Sequence, residues 1–129
     1  MARKLNIGSR IGKVWGTTIP IFQSDSTEVQ HLLVKRGWKC SDHDHAFKNN
    51  LFYVLKGRLR VVVQKDGLED ETVLGPGQMT AVKPGDRHRF EALTDCELIE
   101  LYWVCLDPDD IRRYSQGGES KPQALSRKK

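Results

Sequence analysis

The fold of this 129-residue chain is decided by residues 37–57, which read GWKCSDHDHAFKNNLFYVLKG. One residue separates His43 from His45, so in an extended strand both side chains project from the same face, roughly 6.5–7 Å apart. Two imidazoles on one face suit a shared metal ion, with a third ligand supplied by a neighbouring strand. His88, which follows the turn signal Pro84-Gly85, is the predicted third ligand.

Short β-like runs, separated by Gly, Pro and Asp turn signals, extend outward from this stretch over much of the chain. The predicted strands cover residues 29–35, 38–45, 51–55, 59–64 and 98–105. The Asp66-Gly67 dipeptide supplies the positive φ angles that a type I′ hairpin turn needs. Only residues 107–114 favour a helix, because Asp107 is a good N-cap and Pro108 suits the first helical position. The sequence therefore predicts an all-β sandwich or barrel with one short C-terminal helix.

The formal charge of +4 belongs to the two ends of the chain. Residues 1–13 carry a charge of +4 and residues 115–129 a charge of +3, which leaves residues 14–114 at −3. A nucleic-acid-binding domain normally carries a basic stripe on its folded face, so we expect no nucleic-acid partner. We divide the chain into a basic N-terminal arm at 1–13, a barrel domain at 14–114 and a disordered basic tail at 115–129.

The sequence shows no sign of membrane insertion or secretion. No apolar run approaches the length of a membrane span, and the charged start has no apolar segment behind it. Three scattered cysteines, at positions 40, 96 and 105, fit a reduced compartment better than a disulfide framework. We therefore expect a cytoplasmic protein without a membrane partner.

The opening stretch resembles the first motif of the cupin superfamily, commonly written G-x5-H-x-H-x3/4-E-x6-G. Gly37 is followed by five residues, then His43 and His45, four residues, Asn50, six residues and Gly57. Every spacing fits, and the one mismatch is Asn50, where the family usually has Glu.

Residues 77–92 resemble the second cupin motif, G-x5-P-x-G-x2-H-x3-N. Gly85 and His88 hold their places, Pro84 is shifted by one position, and Ala92 stands where the family has Asn. The resemblance implies a jelly-roll barrel, also called a double-stranded β-helix, made of two antiparallel sheets. It also implies a metal near the centre of the barrel and, often, a homodimer.

Asn50 leaves the ligand set open. A Glu would add an anionic oxygen ligand, whereas Asn offers only a neutral carbonyl oxygen and cannot act as a base. Three outcomes follow: a three-histidine site, the same site with a weak Asn50 contact, or a barrel that has lost tight metal binding. The predicted cofactor is one divalent ion, and ligand softness does not separate Fe, Mn, Zn, Ni and Cu.

The last predicted strand has a wholly apolar face and a mixed face. Ile99, Leu101 and Trp103 lie on the apolar face, which indicates packing in a core or in a dimer interface. Glu100 and Tyr102 lie on the mixed face. This face either lines the cavity, supplying an acid/base and a hydrogen-bond donor for the substrate, or is simply solvated.

Strand alternation or position predicts the environment of four more residues. Phe52 turns inward with the histidines and is a candidate substrate contact in an apolar cavity wall. Arg60 is a candidate anion contact, with an outward-facing charge as the alternative. Parity points Cys40 away from His43, and His31, which lies outside both motifs, is expected to be an ordinary partly buried histidine.

The segment 96–101, followed by 109–112, resembles the tail of the cupin-type mannose-6-phosphate isomerases, which show a Leu-Ile-Glu-Val strand and then an Asp-Asp-Ile helix. That resemblance implies a sugar or sugar-phosphate ligand. We therefore expect a metal-dependent isomerase or epimerase acting on a sugar, sugar phosphate or small carboxylate, with the metal as Lewis acid and Glu100 as base. A three-histidine iron dioxygenase and a non-enzymatic ligand-binding or sensor module are the alternatives.

Overall fold

The chain folds into two antiparallel β-sheets, in a computed structural model that describes residues 4–105 and 107–120. The strands of the described residues are β1 (Ile11–Lys13), β2 (Gly16–Gln23), β3 (Thr27–Val34), β4 (Asn49–Lys56), β5 (Leu59–Lys65), β6 (Leu68–Leu74), β7 (Met79–Val82), β8 (Arg87–Ala92) and β9 (Cys96–Trp103). One sheet has the order β1-β2-β3-β9-β4-β7 and the other has the order β6-β5-β8. The predicted all-β jelly-roll class is confirmed.

Alternate residues of each strand face the space between the sheets. In β4 the inward residues are Asn50, Phe52 and Val54, and all three are buried. In β8 they are His88 and Phe90, which are also buried. Burying each large apolar side chain contributes roughly 1.5–3 kcal/mol, so this packing fixes the inward direction of the polar side chains on the same strands.

The pairing of β9 decides the direction of its two faces. Glu100 lies opposite Gln30 of β3 and Phe52 of β4, and is buried on the inner side. The mixed face of β9 therefore faces the interior, which is the first of the two alternatives that the sequence leaves open. The apolar face with Leu101 lies on the outer side of the six-stranded sheet, so it is not part of the core.

The segment 38–45 is not the regular strand that its sequence predicts. Within it only Lys39 and His43 form bridges, to Glu91 and His88 of β8. The segment has one more residue between these bridges than β8 has, which is the geometry of a β-bulge. The extra residue breaks the strand parity on which the prediction rested.

The predicted C-terminal helix over 107–114 is also absent from the described residues. The capping contacts do form, since Asp107 Oδ1 accepts a hydrogen bond from the Asp109 N–H at 3.0 Å and the Asp107 carbonyl accepts one from the Asp110 N–H at 3.1 Å. The chain then leaves the turn, because Ile111 and Tyr114 are 60% and 87% exposed and have no surface to pack against. A short helix without tertiary packing is not stable in water.

Two further features concern the ends and the hairpin. Asp66 and Gly67 both have positive φ, at 51° and 79°, which confirms the predicted type I′ turn between β5 and β6. Strand β1 takes the last three residues of the basic segment 1–13 into the six-stranded sheet.

The predicted tail at 115–129 lies outside the described residues beyond position 120. No helix of the described residues is long and apolar enough to cross a membrane.

Candidate metal centre

The fold brings His43, His45 and His88 into one cluster. One ring nitrogen of each histidine lies within 4.8 Å of the corresponding nitrogens of the other two. The ring centroids are 4.9 Å apart for His43 and His45, 4.7 Å for His43 and His88, and 5.4 Å for His45 and His88. The three histidines predicted from spacing are therefore neighbours in space.

Backbone hydrogen bonds hold the three histidines in register. The N–H of His43 donates to the carbonyl of His88 at 2.9 Å, and the N–H of His88 donates back at 2.8 Å. The carbonyl of His45 accepts from the N–H of Gly85 at 2.8 Å. Gly85 has a φ of 88°, which places this N–H in a tight turn beside β8. The cluster is thus built on main-chain contacts between the two motifs.

The hydrogen bonds of the rings fit a metal ion. The Nδ1–H of His43 donates to the Ser41 carbonyl at 2.8 Å, and that of His88 donates to the Asp86 carbonyl at 2.9 Å. An imidazole that donates Nδ1–H keeps a lone pair on Nε2, as metal-bound histidines in proteins generally do. His45 Nε2 is buried and has no hydrogen-bond partner among the described residues. A cation bound by the three nitrogens would give this buried atom its missing partner.

Burial favours the neutral form of two of these imidazoles, those of His45 and His88. It lowers the pKa of His45 to about 4, and the nearby charge of Lys48 adds to the shift. Burial likewise lowers the pKa of His88, against the opposing effect of its hydrogen bond to Asp86. Neutral rings present the lone pairs that a divalent ion requires.

Asn50 adds an oxygen to this cluster. Its amide nitrogen donates to Glu100 Oε2 at 3.3 Å and to the Leu101 carbonyl at 3.4 Å, which fixes the direction of the amide. The Oδ1 atom then lies 3.1 Å from Nε2 of His88. Because His88 Nε2 carries a lone pair when Nδ1 is the donor, two acceptors face each other. A cation would satisfy both, so Asn50 Oδ1 fits a weak fourth ligand.

Glu100 and Tyr102 form a buried hydrogen-bonded pair next to Asn50. The Tyr102 hydroxyl donates to Glu100 Oε2 at 2.9 Å. Burial raises the pKa of Glu100 to about 7, although the hydrogen bonds from Tyr102 and Asn50 act in the opposite direction. Burial, reinforced by the carboxylate of Glu100, also raises the pKa of Tyr102, so its hydroxyl stays protonated. Glu100 is therefore poised to gain or lose a proton near neutral pH.

A cavity of about 270 Å³ opens beside the cluster and is lined by His43, Glu100 and Tyr102. Sequence reasoning missed most of its other lining residues, which are Lys13, Trp15, Thr18, Glu28, Gln30, Leu32, Ser41, Lys48 and Phe90. The sequence did contain a signal for two of these residues, Glu28 and Gln30. They lie on the same face of β3 as buried Leu32 and Val34, because alternate residues of a strand share a face, so they point inward.

Cys40 also lines the cavity, contrary to its predicted direction. The bulge between the Lys39 and His43 bridges reverses the parity between Cys40 and His43. Its Sγ accepts a hydrogen bond from the Phe90 N–H at 3.2 Å, and burial raises the pKa of the thiol to about 12. The thiol is therefore an unreactive wall of the cavity rather than a nucleophile.

The remaining sequence candidates lie away from the cavity. Phe52 is buried in the core behind His88, with 6.2 Å between the ring centroids. Arg60 lies on the outer face of the three-stranded sheet and forms ion pairs with Glu91 at 3.0 Å and Glu71 at 3.5 Å. His31 lies on the outer face of the six-stranded sheet.

Comparisons with known proteins agree with this architecture. The family model described as a cupin domain matches residues 30–105. KdgF from Halomonas sp. is similar in structure, with a TM-score of 0.66 and 17% identity over 76% of this chain and 89% of that chain. Oxalate decarboxylase from Bacillus subtilis, described with Mn(II) centres, has a TM-score of 0.67 and 17% identity over 74% of this chain. The match spans 27% of the decarboxylase chain. A search of curated protein sequences gave no match.

Proposed function

Because this chain belongs to the cupin family, we propose that it is a metal-dependent enzyme acting on a small polar metabolite. One divalent ion would be held by His43, His45 and His88, with Asn50 Oδ1 as a weak fourth ligand. The observation that carries the proposal is the cluster of three imidazoles. His43 and His88 donate hydrogen bonds through Nδ1, and the buried Nε2 of His45 has no partner among the described residues. The Mn(II) centres of the oxalate decarboxylase give a precedent in a similar fold.

The bound ion would supply Lewis acidity to a substrate oxygen. Glu100 then holds or releases the proton, since a carboxyl with a pKa near the working pH transfers protons efficiently in either direction. Tyr102 keeps the Glu100 carboxylate in place through its hydroxyl. The core behind His88, formed by Phe52 and Phe90, shields the cluster from water on that side. These roles suit proton transfer beside a carbonyl, as in isomerisation or epimerisation of a sugar, a sugar phosphate or a carboxylate.

Proton transfer beside a carbonyl has a direct readout in deuterated water. The protein, loaded in turn with Mn, Zn, Ni, Co and anaerobic Fe(II), is incubated in D₂O with hydroxyaldehydes, ketoses, their phosphates and hydroxy acids. We expect NMR to show deuterium incorporation beside the carbonyl of one class, and none with the EDTA-treated protein. Absence of exchange or other turnover with every loaded form would overturn the enzyme proposal.

Two alternatives rest on the same cluster. The neutral Asn50 favours a ligand-binding or sensor module, because it deprives the cluster of the carboxylate that the family usually has there. Such a module would bind ligands in its loaded form without converting them. Three imidazole ligands that leave open positions on the metal also suit O₂ chemistry at iron. Consumption of O₂ by the Fe(II)-loaded protein with a substrate would identify a dioxygenase.

We further propose that the chain forms a homodimer, in which the outer face of the six-stranded sheet packs against a second copy of the chain. This face carries an apolar surface across adjacent strands, made of Ile19, Phe22, Val29, Leu33, Leu51, Tyr53, Met79, Ile99, Leu101 and Trp103. Phe22, Leu33 and Met79 are 51%, 38% and 55% exposed. The His31–Glu97 pair is the polar part of this face. An exposed apolar surface across several strands typically marks an interface.

The substitution Leu33→Glu tests the homodimer. It places a second carboxylate beside Glu97 at one end of the apolar face. The position is already partly exposed, so the monomer should still fold. We expect the wild type to sediment as a dimer and Leu33→Glu as a monomer. Val73→Glu, on the other sheet and 42% exposed, is the matched control and should stay dimeric. A monomeric wild type at micromolar concentration would contradict the proposal.

The proposed compartment is the cytoplasm. Cys40, Cys96 and Cys105 are all free thiols. Cys96 is buried and its S–H donates to the Arg58 carbonyl at 3.0 Å, so it serves as a packed hydrogen-bond donor. Free thiols of this kind persist where glutathione and thioredoxin keep cysteines reduced.

A further inference from the structure

Lys48 is a cation fixed beside the histidine cluster. It immediately precedes β4, and its Nζ lies 4.0 Å above the centroid of the Tyr102 ring. The Tyr102 ring also meets the ring of His45, at 5.3 Å between centroids. One aromatic ring therefore contacts a candidate metal ligand and the ammonium group together, which sets the position of Lys48 relative to the metal centre.

The charge of Lys48 has no acidic partner. Among the residues that the structure describes, no carboxylate oxygen lies within 4.0 Å of its Nζ, whereas Arg87 at the start of β8 is paired with Asp42 at 2.9 Å. The two carboxylates of the cavity have other donors. Glu100 accepts from Tyr102 and Asn50, and Glu28 accepts from the Gln30 amide at 2.7 Å. Lys48 is thus half-buried, and the Tyr102 ring and the longer-range charge of Glu100 act on its ammonium group. An anionic ligand would supply the ion-pair partner that the described residues do not.

Lys48 also stands where two cavities meet. The cavity of about 270 Å³ beside His43 and a second one of about 110 Å³ share Glu28, Lys48 and Tyr102 as walls. The larger cavity contains a second lysine, Lys13, on the edge strand β1. A ligand that reaches from the histidines towards Lys48 therefore meets positive charge at both ends once a divalent ion is bound.

We infer that the ligand of this cavity is a small organic anion, whose oxygen atoms at one end reach the histidine cluster and whose carboxylate or phosphate at the other end pairs with Lys48. This inference rests on the proposed function and narrows its substrate class. Neutral sugars lack the group that Lys48 is placed to bind. Lys48 is thereby a specificity-determining residue, and Lys13 contributes less because it is exposed at the edge of the sheet.

Three probes with a common hydroxy-acid end test the inference. Lactate has only that end, malate adds a carboxylate, and 3-phosphoglycerate adds a phosphate. Binding is followed by the visible spectrum of the Co(II)-loaded protein and by tryptophan fluorescence, because Trp15, one of the three tryptophans, lines the cavity. We expect malate or 3-phosphoglycerate to bind about tenfold or more tightly than lactate, since hydrogen bonds to charged groups are the stronger ones. Which of the two binds better separates a carboxylate ligand from a phosphate ligand.

Variants assign the effect to Lys48. We expect Lys48→Gln to abolish the preference over lactate, Lys48→Arg to keep most of it, and Lys39→Gln to leave it unchanged. Lys39 is an exposed lysine of the adjoining segment that does not line the cavity. Equal affinities of the three probes for the wild type, or an unchanged preference in Lys48→Gln, would overturn the inference.

Failure of the proposed function has a different signature. If the wild type takes up no Co(II), the metal-dependent proposal fails, and the fluorescence titration of the metal-free protein still compares wild type with Lys48→Gln. If Co(II) and lactate bind, but malate and 3-phosphoglycerate bind no more tightly than lactate, only the inference about Lys48 fails.

Discussion

Glu100→Gln is expected to stabilise the metal-free protein by about 3 kcal/mol at pH 8 and to leave its stability almost unchanged at pH 4. The cause is burial, which raises the pKa of Glu100 from its ordinary value of 4.5 to about 7. Below pH 4.5 the carboxyl is protonated in both folded and unfolded chains. Between pH 4.5 and pH 7 the unfolded chain loses this proton and the folded chain keeps it, so stability falls as the pH rises.

Urea unfolding at a series of pH values, with EDTA present, measures this effect. The quantity of interest is the difference in the free energy of unfolding between Glu100→Gln and the wild type, because it cancels the titration of other groups. Glu97→Gln is the matched control on the same strand. The hydrogen bond from His31, at 2.7 Å, lowers the pKa of Glu97, so its removal should cost stability at high pH. A difference for Glu100→Gln that is flat with pH would contradict the buried, proton-holding carboxyl.

Glu100→Gln is also expected to lower turnover by roughly 10²–10⁴-fold, which is the range that general acid–base catalysis contributes. Glutamine preserves the shape and accepts the Tyr102 hydrogen bond, but it transfers no proton. Metal affinity should stay near that of the wild type. A more stable and less active variant is the pattern expected of a residue kept for catalysis at the expense of stability. Full activity in Glu100→Gln would assign the proton transfer to another group.

His45→Ala is expected to weaken the binding of a divalent ion by ~100-fold or more, because even partners of metal ligands cost 10–100-fold when they are removed. The variant loses the ring whose buried Nε2 lacks a partner, and two imidazoles with a weak amide oxygen are a poor ligand set. Isothermal titration of the apoprotein with Zn(II) or Co(II) measures the affinity. The stabilisation that a saturating ion gives to the wild type should disappear with it.

His31→Ala is the control for this substitution. His31 is also a half-buried strand histidine with an unpartnered ring nitrogen, but it lies on the outer face and pairs with Glu97. Removing it should leave the affinity for the ion unchanged. Equal losses in the two variants, or an unaltered affinity in His45→Ala, would show that the ion binds elsewhere.

The histidine cluster could be predicted from sequence because its spacing is matched by main-chain pairing. The bridge between His43 and His88 and the Gly85 contact to His45 join the two motifs directly. Strand alternation places Glu100 and Tyr102 on one face, because β9 is regular, but leaves open whether that face lines the cavity or is solvated. The pairing of β9 with β3 and β4 decides that it faces inward. In these places the local pattern and the tertiary pairing agree.

Other parts depended on contacts that local sequence does not encode. The bulge opposite β8 arises from pairing between distant segments, so Cys40 was assigned to the wrong side. Lys48 lies just outside a strand, where alternation gives no direction. The helix over 107–114 had good capping residues but no surface to pack against, which local propensity cannot reveal. Arg60 pairs with Glu71 and Glu91 on the outer face of the three-stranded sheet. The register of the sheet brings these distant residues together, and local sequence does not reveal it.

The most direct test of the metal centre is anomalous diffraction from crystals of protein loaded with Mn(II), Co(II) or Zn(II), recorded on both sides of the metal absorption edge. We expect one anomalous peak per chain, between the Nε2 atoms of His43, His45 and His88 and beside Oδ1 of Asn50. A loaded protein without a peak at that position, or with its peak elsewhere, would contradict this expectation.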